Sequence, residues 1–61
     1  MLSRYEIIRM LLNQLGVYNI NLARDIDSGK EGTFKSLTGE MYSYRRIRDR
    51  AEDIVRKTKG L

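Results

Sequence analysis

The chain has 61 residues and a mass of 7.2 kDa, which leaves room for one domain, expected over residues 1–61. It contains no cysteine and no histidine, so disulfides, the usual zinc and haem ligands, and Cys–His or Ser–His nucleophilic catalysis are all excluded. Twelve Lys and Arg against eight Asp and Glu give a net charge of +4. Residues 1–40 balance five basic with five acidic groups, whereas residues 41–61 carry seven basic and three acidic ones. The whole excess therefore lies in the last third, a distribution that favours a polyanionic partner. No apolar run exceeds three residues, so neither a membrane span nor a signal peptide is expected, and a cytoplasmic location is the default. An enzyme, a cofactor, a metal site and a small-molecule substrate are not expected either.

In chain order, Ser3 with Glu6 forms a capping-box pattern, and Ile7, Ile8, Leu11, Leu12 and Leu15 recur at helical steps, predicting a helix over about 4–15. Gly16 is placed to end it in the left-handed conformation, with Val17 folding back on the last turn. Asn19 is a plausible cap for a second helix, whose Ile20, Ala23 and Ile26 share one face. Asp27 to Gly32 reads as a turn. Thr33 to Thr38 reads as a short third helix with Phe34 and Leu37 inward, closed by Gly39, and a last helix runs from Glu40 to about residue 57. The expected fold class is therefore all-α, a small bundle of three to four short helices.

The stretch Leu15-Gly16-Val17-Tyr18-Asn19-Ile20-Asn21-Leu22-Ala23-Arg24-Asp25-Ile26 resembles the first half of a phage-repressor-type helix-turn-helix, and Thr33 to Gly39 is similar to its recognition helix. The resemblance spans residues 15–39. It implies a DNA-binding transcriptional regulator of phage, plasmid or bacterial type, in which small Ala23 lets the third helix cross closely and enter the major groove with Lys35 and Ser36. Lys30 and Thr33 would lie on the same surface, which lacks the Arg, Gln and Asn that read base edges bidentately. Asn19 would meet a phosphate at the start of the second helix.

The last helix supplies Arg45, Arg46 and Arg50 as phosphate contacts. Its bland alternative is a solvated exterior braced by pairs such as Arg45–Asp49, Arg46–Asp49 and Glu52–Arg56, each contributing about 0.2–0.5 kcal/mol. Leu37, Met41, Tyr44, Arg48, Ala51, Val55 and Thr58 alternate in steps of four and three, which suggests a homodimer through this helix. A calcium loop starting at Asp25 fails because its closing position holds Ser36, and Ser28-Gly29-Lys30 lacks the strand that a phosphate loop needs. The expected partner is double-stranded DNA. The alternative is a small helical protein-interaction module, an inhibitor, adaptor or structural subunit, that uses its four tyrosines and binds no nucleic acid.

Overall fold

A computed structural model describes residues 2–59. The chain forms α1 (Arg4–Gln14), α2 (Ile20–Ser28), β1 (Thr33–Lys35), β2 (Met41–Ser43) and α3 (Tyr44–Lys59). The two strands pair antiparallel with Phe34 opposite Tyr42, forming one hairpin between α2 and α3 in a chain of three helices. This mixed α and β architecture corrects the all-α expectation. Among the described residues no helix is long and apolar enough to cross a membrane.

The first two helices form where the sequence points. Ser3 accepts the Glu6 N–H at 3.2 Å, and its hydroxyl lies 3.4 Å from the Glu6 carboxylate. At the other end of α1 the Val17 N–H reaches back to the Leu12 carbonyl at 2.9 Å and the Gly16 N–H to Asn13 at 3.0 Å. That pair of bonds satisfies carbonyls the helix leaves open and requires the left-handed φ of +77° at Gly16. A Cβ on Gly16 would also stand 2.5 Å from the Leu37 Cβ, so this position has no room for a side chain. Asn19 caps α2 by accepting the Leu22 N–H at 3.1 Å.

The predicted third helix does not exist. Thr33 to Lys35 is β1, and the connection to β2 is the five residues Ser36 to Glu40, with Leu37, Thr38 and Gly39 at its tip. Ser36 donates its N–H to the Glu40 carbonyl at 2.9 Å, accepts the Gly39 N–H at 3.0 Å, and takes the Glu40 N–H on its hydroxyl at 3.1 Å. Gly39 at φ +88° closes the loop, so it terminates a hairpin turn rather than separating two helices. A strand wins here because Phe34 can stack on Tyr42 across the ladder, with ring centroids 5.8 Å apart, and approach Tyr44 at 6.3 Å. Leu37, expected to point inward, is 79% exposed at the loop. The last helix starts at Tyr44, after the strand, rather than at Glu40.

Ile7, Ile8 and Leu12 of α1, Ala23 and Ile26 of α2, and Ile47 and Ala51 of α3 make the core. Ala23 is fully buried within the helices' shared core, with no recognition helix crossing it. Arg4 clamps all three helices: its Nε lies 2.8 Å from Asp27, one Nη donates to the Asp27 carbonyl at 2.6 Å, and the other meets Glu52 at 2.6 Å. These contacts raise the Arg4 pKa above its ordinary value, with the Asp27 hydrogen bond the largest cause. The heptad-like seam is not continuous along α3: Leu37 and Met41 lie outside the helix and are exposed, Ala51 is buried against the chain's own helices, and Arg48 turns toward the end of α2.

Candidate nucleic-acid interface

The seven basic residues of α3 do not make one free surface. Arg48 turns inward, donating one Nη to the Ile26 carbonyl at 3.1 Å and to the Lys30 carbonyl at 3.3 Å. It thereby helps to hold the end of α2 against α3. Asp53 lies 3.1 Å from Lys57, 3.6 Å from Arg50 and 3.7 Å from Arg56. This cluster, with Lys57 foremost, holds the Asp53 carboxyl below its ordinary pKa. Arg45 pairs with Asp49 at 3.8 Å, as the sequence suggests, but Glu52 goes to Arg4 and Arg56 to Asp53. Arg46 has no carboxylate partner among the described residues and lies over the Tyr42 ring, 5.2 Å from its centroid.

The remaining expected contacts scatter as well. Thr33 and Lys35 are exposed, and strand alternation puts them on the ribbon face opposite Phe34 and Tyr42. Arg46 stacks on the Tyr42 side, so Lys35 and Arg46 occupy opposite faces of the hairpin. Ser36 is buried and spends its hydroxyl on Thr38 at 3.0 Å and on the Glu40 N–H, so it has no free group to offer a duplex. The Lys30 ammonium lies 3.3 Å from Asp25. Lys35 and Ser36 therefore cannot enter a groove on a helix, because their segment is a strand and a turn.

Sequence reasoning predicted α2 but placed no contact on its outward face beyond the Asn19 cap. Asn21, Arg24 and Ser28 are all exposed and recur at steps of three and four, which places them on one outward stripe. Both aspartates of this helix are engaged: Asp25 by Lys30 at 3.3 Å and Asp27 by Arg4 at 2.8 Å. Arg24 takes part in no ion pair among the described residues. At the start of the helix Arg9, Asn13, Tyr18 and Asn19 wall a hollow of about 150 Å³. The signal that could have found this stripe was the presence of Asn and Arg, the bidentate base readers, on the second helix and not on the next segment.

No protein-family model matches the chain, and neither a curated protein nor a solved structure does.

Proposed function

We propose that the protein binds duplex DNA through α2, with α1 and α2 acting as the helix-turn-helix pair. Only Gly16, Val17 and Tyr18 separate the C-cap Leu15 from the N-cap Asn19, the short glycine-containing turn that such a pair uses. One observation carries this reading. The outward stripe of α2 presents Asn21 and Arg24 while both aspartates of the helix are held by cations elsewhere in the chain. An asparagine can pair bidentately with adenine and an arginine with guanine. Asn19 and Arg9, beside the exposed first N–H groups of α2, suit a phosphate flanking the groove. Lys35 on the outer face of the hairpin is a second phosphate contact in this reading, and regulation of transcription is the process it serves.

A mobility-shift titration against mixed-sequence duplex DNA tests the proposal. With about four phosphates neutralised, affinity should fall roughly a hundredfold between about 50 and 200 mM salt. Arg24→Ala should weaken the complex at both salt concentrations. Absence of binding at the lower salt would remove this reading and leave the chain as a protein-interaction module.

A further inference from the structure

A groove on the other flank of α1 has a different chemistry. Leu11 and Gln14 of α1 with its C-cap Leu15, Tyr42 of β2, and Arg46, Ile47 and Arg50 of α3 line it. No residue of α2 contributes to it. Its volume is about 310 Å³, at the lower end of the ~300–1,000 Å³ typical of pockets that enclose a bound group. That is room for one or two bulky apolar side chains and too little for a folded element.

We propose that this groove receives an apolar side chain from an acidic segment of a partner protein, whose flanking carboxylates meet Arg46 and Arg50. Charge complementarity argues for the occupant. None of the lining residues carries a carboxylate, and Arg46 has no ion pair among the described residues. Arg50 shares Asp53 with Lys57 and Arg56 at a loose 3.6 Å, so a partner carboxylate can replace that contact without stranding Asp53. The Tyr42 ring holds the Arg46 guanidinium in place, and the Tyr42 hydroxyl is itself fixed by donating to Glu40 at 2.9 Å. Tyrosine and arginine set around an apolar pocket are the residue types that dominate binding energy at protein interfaces. A nucleic-acid backbone would satisfy the two arginines but leave the half-buried Leu11 and Leu15 with nothing further to bury against. The proposal is independent of DNA binding by α2, because the two surfaces share no residue.

The test is fluorescence anisotropy with three labelled peptides: one of glutamates around an adjacent Leu-Phe pair, one with lysine for every glutamate, and one with glutamine for Leu and Phe. The wild-type chain should bind the first at least about tenfold more tightly than either of the others. Arg46→Glu/Arg50→Glu should reverse the preference between the acidic and the basic peptide, and Arg24→Ala should leave the peptide series unchanged. These substitutions alter exposed side chains, and circular dichroism checks that the helices persist. Equal binding of the Leu-Phe and glutamine peptides would reduce the site to a diffuse charge effect and overturn the proposal. So would retention of acidic-peptide binding by the charge-reversed variant. Binding of phosphatidylserine vesicles or duplex DNA that depends on Arg46 and Arg50, with no competition by the acidic peptide, would overturn it in favour of those ligands.

Discussion

The two outward-facing helices divide charge and availability in opposite ways. α3 holds seven of the chain's twelve basic residues, yet Arg48 is spent on two carbonyls, and Asp53 and Asp49 engage four more. α2 carries a single arginine and two aspartates, and both aspartates are tied to cations from outside the helix. The helix with the larger count is braced, and the one with the smaller count leaves its arginine open. Net charge along a sequence reports where basic residues are, while the field a ligand meets depends on which of them are already paired.

The comparison breaks most severely if α2 is displaced. Gly16 sets its entry, and Gly16→Ala forces a side chain into the left-handed region as well as against Leu37. A loss of about 2–5 kcal/mol is expected in urea unfolding, from roughly 1–2 for the backbone and 1–3 for overpacking. Gly39→Ala, at φ +88° but with open space around it, should cost only about 1–2 kcal/mol. Equal losses at the two glycines would mean that Leu37 moves aside freely.

Two arginines of α3 sharpen the contrast within one helix. Arg48→Ala removes charge-assisted bonds to Ile26 and Lys30 and should cost about 1.5–3 kcal/mol of stability. Arg45→Ala breaks only an exposed pair and should stay within about 0.5 kcal/mol of wild type. For DNA the ranking changes. Arg24→Ala should cost about 1–3 kcal/mol of affinity, roughly a five- to 150-fold loss, whereas Arg45→Ala should lower the salt slope slightly and little else. A mobility shift in which Arg45→Ala is the more damaging of the two would return the interface to α3.

The helical half of this fold was legible because its signals are local. Ser3 with Glu6, the Leu12–Gly16–Val17 closure and the Asn19 cap each involve residues at most five apart. The hairpin was not read because Thr33 to Lys35 and Met41 to Ser43 are three residues each, too short for alternation to stand out against helical spacing. What decides them is pairing across the loop, Phe34 on Tyr42, and the symmetric placement of Ser36 and Glu40 around a glycine-containing turn. The α2 stripe was obscured for a related reason. Asp25 and Asp27 make it look acidic until Lys30 and Arg4 are brought beside them, and Arg4 comes from more than twenty residues away.

The smallest expected effect concerns acid. Lys57, then Arg56 and Arg50, hold the Asp53 carboxyl below its ordinary range, so its folded pKa is depressed relative to the unfolded chain. The stabilisation is therefore fully present above the unfolded value of about 3.9 and is lost as pH falls through the lower folded value. The chain has no histidine, so no side chain has an ordinary pKa between about pH 5 and 8, and stability measured by urea unfolding should be nearly flat there. Asp53→Asn should sit slightly below wild type at pH 7 and meet it once pH has fallen through the depressed folded pKa of Asp53 and both side chains are uncharged. Because the cluster is exposed, about 1 M salt should remove most of the gap at neutral pH. A gap that survives the salt would mean that Asp53 acts by hydrogen bonding to Lys57 rather than through the field of the three cations, and α3 would then be braced by geometry more than by charge.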